Sequence, residues 1–243
     1  MRFRLVTYNI HKGIGGIDRR YDLQRITETL GHYAPDVALL QEVDDGALRS
    51  RRHRQVDLLG EATGMPHTLF QRNVRLKVGH YGNAILSRHP LYDPFQVDLT
   101  IPMKKRRQAL AARCRVPVGQ HTKTVVLVNV HLGLAGFERQ AQLRRLLEEE
   151  NLRRLRRRTP LVVAGDYNDV WSSLGRRVML PRGFQLAGPT VRTFPAAMPL
   201  RRLDRVFYRG DLRSQHAFAG HTDLARIASD HLPLVVDFEF TRR

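Results

Sequence analysis

The sequence has 243 residues and a formal net charge of +18, from 41 Lys and Arg against 23 Asp and Glu. Its single cysteine, Cys114, excludes an internal disulfide and a thiolate zinc site. No apolar run approaches the ~20 residues of a membrane span, and Met1-Arg2-Phe3-Arg4 leads into mixed polar residues rather than a leader-like apolar run, so a soluble cytoplasmic protein is expected.

In chain order, Phe3–Tyr8 alternates as a strand and halts at Asn9. Asp22 precedes Leu23, Ile26, Leu30 and Tyr33 at helical spacing, and Pro35 ends that helix. Val37-Ala38-Leu39-Leu40 is a buried-strand run stopping at Gln41-Glu42, and Ala84-Ile85-Leu86 stops at Ser87. Val125–Val130 predicts a strand ending at His131, followed by a helix from Phe137 to about Leu155 with a basic outer face. Leu161–Ala164 is another buried strand, ending at Gly165-Asp166-Tyr167-Asn168. Leu203–Tyr208 and Leu234–Phe240 are two more, with Asp204 and Asp230-His231 at their beginnings. Near-continuous β-branched runs imply strands covered on both faces. With helices between only some of them, the order predicts α/β layers with substantial antiparallel pairing, as one domain over 1–243.

The charge excess lies downstream of residue 50. It gathers in Arg49–Arg54, Lys104–Arg107 and Arg153–Arg158. Such clusters attract nucleic acid or an anionic membrane surface. They equally suit a solvated face, and arginine enrichment also follows from genomic base composition, so charge supports an anionic substrate without choosing one.

The polar residues that punctuate the strand ends carry the chemistry: Asn9, Glu42, His131, Asp166, Asn168, Asp204, Asp230 and His231. Strand ends on one edge of a sheet converge. Carboxylates gathered there repel unless a cation neutralises them, and oxygen ligands favour a hard ion such as Mg²⁺ or Mn²⁺. Such an ion, with imidazoles and amides, suits attack of water on a phosphate.

The ordered segments Thr7-Tyr8-Asn9-Ile10-His11, Gln41-Glu42-Val43, Tyr81-Gly82-Asn83-Ala84, Asn129-Val130-His131-Leu132, Gly165-Asp166-Tyr167-Asn168, Leu203-Asp204-Arg205 and Ser229-Asp230-His231-Leu232-Pro233 resemble those of the endonuclease/exonuclease/phosphatase superfamily, over essentially the whole chain. Arg192-Thr193-Phe194-Pro195 adds a likeness to its small stand-alone bacterial members. The resemblance implies a DNase I-like four-layered α/β sandwich, two mixed and largely antiparallel sheets flanked by helices, and divalent-metal-dependent phosphoester hydrolysis. By the same resemblance Glu42 is the principal metal ligand, with Asn9 and Asp230 near the ion. Asp166 orients or deprotonates water, and Asn168 holds the water or the phosphate. Asp204 and His231 form an Asp–His pair in which His231 is base or phosphate donor, and His131 sits near the leaving or a phosphoryl oxygen.

Asn83, His11 and Arg202 are further candidates for substrate contact, with Lys12 and Arg139 as weaker ones. His11 stands where the apurinic-endonuclease branch commonly has an acid. Trp171 and Phe194 are read as packing residues. Arg202-Leu203-Asp204-Arg205 lacks the Trp-Cys-Asp-Arg pattern of inositol phosphatases, and Leu232 stands where those enzymes usually place Arg. A phosphodiesterase remains. The charge puts nucleic acid first as substrate, and a phospholipid or related head group at a membrane surface second.

Overall fold

The computed structural model describes residues 2–241. The first half runs β1 (Arg2–Asn9), α1 (Leu23–Tyr33), β2 (Val37–Asp45), α2 (Gln55–Thr63), β3 (His67–Arg75) and β4 (His80–Ser87). The second runs β5 (Leu91–Asp98), β6 (Gln108–Val118), β7 (His121–His131), α3 (Gly136–Glu148), α4 (Glu150–Arg153), β8 (Leu161–Asp166), β9 (Gln185–Ala187) and β10 (Asp204–Arg209). The chain then returns through β11 (Leu212–Ala219), α5 (Asp223–Ala228) and β12 (Leu234–Phe240). Two six-stranded sheets result, in the orders β11-β12-β1-β2-β4-β3 and β5-β6-β7-β8-β10-β9.

Period-two alternation sorts the apolar residues into layers. Phe3 and Leu5 of β1, Val125 and Leu127 of β7, Val162 and Ala164 of β8, and Val206 and Tyr208 of β10 face inward and form the core between the sheets. Their neighbours Val6 and Tyr8 face outward, against Ile26 and Leu30 of α1 and Val56 and Leu59 of α2. Val126, Val128 and Val163 likewise back onto Leu143 and Leu146 of α3. Helix, sheet, sheet, helix make the four layers that the family resemblance implies.

The local signals act where the sequence places them. Asp22 accepts a hydrogen bond from the Gln24 amide at 3.0 Å and caps α1, which ends on left-handed Ala34 just before Pro35. The helix expected over 137–155 is instead two, broken where Glu149 takes an extended ψ of 130°. In one continuous helix Leu152 would lie about 120° round from Leu146. The break lets both enter the same core.

Each sheet contains one parallel pair among antiparallel neighbours. β1 runs parallel to β2 with Asn9 opposite Gln41, and β7 runs parallel to β8 with His131 opposite Asp166. Antiparallel pairing of β8 with β10 then sets Asp204 opposite Asp166. Asn9, His131, Asp166 and Asp204 share the inward parity of the apolar residues on their own strands. They are therefore the polar continuation of the inter-sheet core, at the edge where it opens.

Candidate active site

That edge is a cleft of about 850 Å³, and Asn9, Glu42, His131, Asp166, Asn168, Asp230 and His231 line it. The second sheet supplies a regular row. His131, Asp166 and Asp204 lie side by side on three neighbouring strands. His231 crosses this row from the segment before β12. Its Nδ1 is 2.8 Å from Asp204 Oδ2, and its Nε2 is 3.9 Å from Asp166 Oδ2. The Thr193 hydroxyl also donates to Asp204 Oδ2. Asp166 Oδ2 accepts from Asn9 Nδ2 at 3.1 Å and faces His131 Nε2 at 3.6 Å, while its Oδ1 accepts from the Asn168 amide at 2.8 Å. Asn168, left-handed at φ 49°, turns its own side-chain amide onto the Leu132 carbonyl, at 2.9 Å.

Both histidines are buried, and the charges around them separate them. His231 loses solvation, but the charge and hydrogen bond of Asp204, helped by Asp166 and Asp230, outweigh that loss and raise it to about 10. His131 is pushed down to about 4 by burial and by the nearby Arg107 guanidinium. Burial also raises the Asp166 carboxyl above its ordinary range, with the histidines pulling the other way. At neutral pH the site thus holds a charged His231, a neutral His131 and an Asp166 made more basic by its surroundings.

The first sheet builds its side from irregular backbone. The β2–β4 register slips between Leu40 and Val43, and Glu42 sits in the bulge with φ 56°. Across the inter-sheet core, Asn129 of β7 donates to the Leu40 and Ala84 carbonyls, both at 2.8 Å, and accepts from Gln41 Nε2 at 2.7 Å. The Glu42 carboxylate faces the cleft. Burial opposes its ionisation, yet the charge of a protonated His131 and that of Lys12 hold it down at about 2. Since His131 is neutral near pH 7, Lys12 is the cation that matters there. Glu42 Oε2 is buried without a well-formed hydrogen bond, and the Lys12 ammonium lies against it.

This donor set fits a hard divalent cation. Glu42 offers an ionised oxygen neighboured by the Lys12 ammonium, and Asn9 and Asp230 line the same cleft with further oxygen donors. Among the described residues no three His, Cys, Asp or Glu gather as a ligand cluster. Few protein ligands, with water and substrate phosphate completing the shell, is the habit of Mg²⁺.

Other candidates fall differently. Asn83 is fully buried, with its Nδ2 on the Gln108 carbonyl at 3.1 Å, so it braces β4 against β6 and does not reach the cleft. His11 turns its Nδ1 to the Ile14 carbonyl at 2.9 Å, with Asp230 3.9 Å away, and it lies outside the cleft lining, as does Arg202. Arg139 is buried and clamps the Leu134 carbonyl. Trp171 is not a packing residue, being 83% exposed, and Phe194 lines the cleft with its ring centroid 4.9 Å from that of His231.

The sequence alone assigns no part to Thr193, Gln41, Asn129 or Tyr81, and reads Arg107 only as one of the basic cluster 104–107. For Asn129 and Gln41 a signal exists: polar residues at inward-facing strand positions need partners. Arg107 is 7% exposed, and its Nε has no partner. Among the described residues no carboxylate pairs with it, unlike Arg49, which grips Asp44 at 2.7 and 2.9 Å beside Tyr81. With Lys12, Arg75, Lys105 and Arg106, these two arginines make six basic side chains in the cleft against the three carboxylates of Glu42, Asp166 and Asp230. Arg157 of the third basic cluster borders a separate hollow with Arg182 and Arg209.

Known proteins of this shape bear on the site. The chain is 31% identical to the uncharacterized protein YbhP of Escherichia coli, over 96% of this chain and 94% of that one. An endonuclease/exonuclease/phosphatase protein from Beutenbergia cavernae superposes with a TM-score of 0.79 at 26% identity, covering 98% of this chain and 72% of its own. Danio rerio TDP2, solved with a single-strand DNA product, shares the fold at a TM-score of 0.71 and 19% identity, over 98% and 99% of the two chains. Residues 6–231, which include every residue of the cleft, match the Endonuclease/Exonuclease/phosphatase family, and the chain belongs to it.

Proposed function

We propose that the protein is a divalent-metal-dependent phosphodiester hydrolase, most naturally a nuclease. One observation carries this reading: His231 lies between Asp204 and Asp166 in the same basic cleft as a part-buried, ionised Glu42. Bound at Glu42 with Asn9 and Asp230 alongside, Mg²⁺ or Mn²⁺ would supply Lewis-acid neutralisation of phosphate charge.

The chain's own groups do the rest. Asp166 is the base that takes a proton from the attacking water, because burial raises its basicity and Asn9 and the Asn168 amide fix its orientation. His231, held charged by Asp204, donates from Nε2 to a phosphoryl oxygen rather than acting as a base. Neutral His131 sits across Asp166 as a hydrogen-bonding partner for the phosphate or leaving oxygen. Arg107 brings an unpaired guanidinium to the charge that builds in line.

Nucleic acid stands first as substrate because Lys105, Arg106 and Arg75 line the same cleft as His231 and would meet the flanking phosphates of a polyanion. A second observation favours a lipid-directed phosphodiesterase. Of the most exposed large apolar side chains, Leu134 lines the cleft, and Met103, Phe137, Trp171 and Met198 lie within four residues of others that do. An amphipathic rim of this kind suits an anionic membrane surface. The test is a parallel assay with Mg²⁺ or Mn²⁺ of plasmid DNA, single-stranded DNA, RNA, anionic phospholipid vesicles and a bis-aryl phosphodiester. Cleavage of nucleic acid that weakens steeply with salt supports the first reading. Turnover only with vesicles replaces it with the second.

A further inference from the structure

Three consecutive residues, His11 (φ 45°), Lys12 (φ 62°) and Gly13 (φ 72°), are left-handed. Glycine takes this conformation freely, but histidine and lysine do not, and strain of this kind persists only where surrounding bonds over-determine it. They do so here. Gln55 Nε2 donates to the Lys12 carbonyl at 2.7 Å, the His11 amide donates to Asn9 Oδ1 at 3.1 Å, and the Gly13 amide returns to Ile10 O at 2.8 Å. The consequence is the direction of Lys12. A lysine on an ordinary turn sends its ammonium to water, whereas this one is turned inward, 17% exposed, onto a single oxygen of Glu42.

We infer that Lys12 is a built-in counter-cation of Glu42, so that the Lys12 ammonium and a divalent ion compete for one carboxylate. The inference rests on the metal-dependent reading above. An ion that takes Glu42 Oε2 as a ligand needs the position where the ammonium stands, and two cations that close repel strongly in a partly buried site. The ammonium must then swing out into the cleft, where an anionic phosphate is its natural partner. By linkage, a bound polyanion that takes up the displaced ammonium tightens the metal, and metal tightens the polyanion. Lys12 therefore holds the metal affinity low until substrate is present.

The experiment is calorimetric titration of Mn²⁺ into the whole protein, comparing wild type with Lys12→Met and with the shorter Lys12→Gln. Both variants should bind Mn²⁺ about tenfold tighter or more, the effect of one like charge removed from a partly screened site. Lys12→Arg should stay near wild type. In a Glu42→Gln background the gain from Lys12→Met should vanish, because nothing is left to compete for. Equal or weaker Mn²⁺ binding by folded Lys12→Met and Lys12→Gln would overturn the inference while leaving the metal reading intact. If wild type and all variants bind no Mn²⁺, both fall together.

Discussion

The two sheets reach the cleft by opposite means. The second contributes His131, Asp166 and Asp204 through unbroken pairing, three residues in one row across β7, β8 and β10. The first contributes Glu42 and Lys12 through broken pairing, a bulge and left-handed residues held by Asn129 and Gln55. Regular register fixes the spacing of the groups to which the proposed function gives proton transfer. Irregular backbone turns a carboxylate toward the cleft from a strand that would otherwise bury or expose it. Acid–base chemistry and charge handling thus rest on different kinds of local structure, and should fail differently.

The largest effect belongs to the regular side. Asp204→Asn keeps the shape of the Asp–His pair but removes the charge that holds His231 protonated. The turnover number should drop by about 10²-fold or more, and the alkaline limb of the pH–rate profile should move to lower pH. Stability carries the same signature. His231 is raised from 6.5 to about 10 on folding, so its contribution is full below pH 6.5 and lost as pH rises toward 10. Thermal melts of wild type should weaken across that window, and those of Asp204→Asn much less. A folded Asp204→Asn variant with wild-type rate and an unmoved alkaline limb would break the assignment.

Next comes Arg107, on the wall between the two sides. Arg107→Ser should lower kcat/KM by about 10²-fold, as loss of a preorganised charge donor does, on a bis-aryl phosphodiester as well as on nucleic acid. Converting exposed Lys105 and Arg106 to Ser should spare the small substrate. It should flatten the salt dependence of oligonucleotide binding by about 0.7–0.9 for each phosphate that is no longer neutralised. Equal damage to both substrates from the second pair would mean that it supports the fold or the site itself.

Much of the regular side is legible in the sequence, and little of the irregular side is. Apolar runs that stop at His131 and Asp166, and at Asn9 on the first sheet, place those residues at strand ends, and alternation places them on inner faces. The family resemblance then tells which polar residues act together. Glu42 is legible as a residue, but the bulge that presents it is not, because Asn129, which bonds the Leu40 carbonyl at its edge, lies almost ninety residues away on the other sheet. Asn83 reads as a substrate contact for the same reason: its true partner, the Gln108 carbonyl, belongs to the facing sheet. Trp171 reads as a packing residue because a large aromatic usually buries, and no neighbouring residue signals that it will stand exposed. Strands such as β3, β5 and β11 lack continuous apolar runs, since much of each is half-buried or exposed at or near a sheet edge.

The smallest expected effect sharpens the comparison at its joint. Asn129→Ala removes two hydrogen bonds to the bulge carbonyls and leaves Gln41 without its acceptor across the sheets. Stability should fall by about 1–3 kcal/mol in denaturant melts. Mn²⁺ affinity should fall with it, while the His231 titration followed by NMR stays in place. Loss of the His231 shift with metal affinity intact would invert this division of labour.

The central claim is that Glu42 holds a divalent cation for phosphodiester hydrolysis by the Asp166–His231–Asp204 row. Its most direct test is bis-aryl phosphodiester hydrolysis by wild type and Glu42→Gln, stripped with EDTA and then titrated with Mg²⁺ or Mn²⁺. The account predicts no turnover in the stripped wild type, restoration by either ion, and little restoration in Glu42→Gln up to millimolar metal. Full turnover by the stripped protein, or equal rescue of Glu42→Gln, would contradict it.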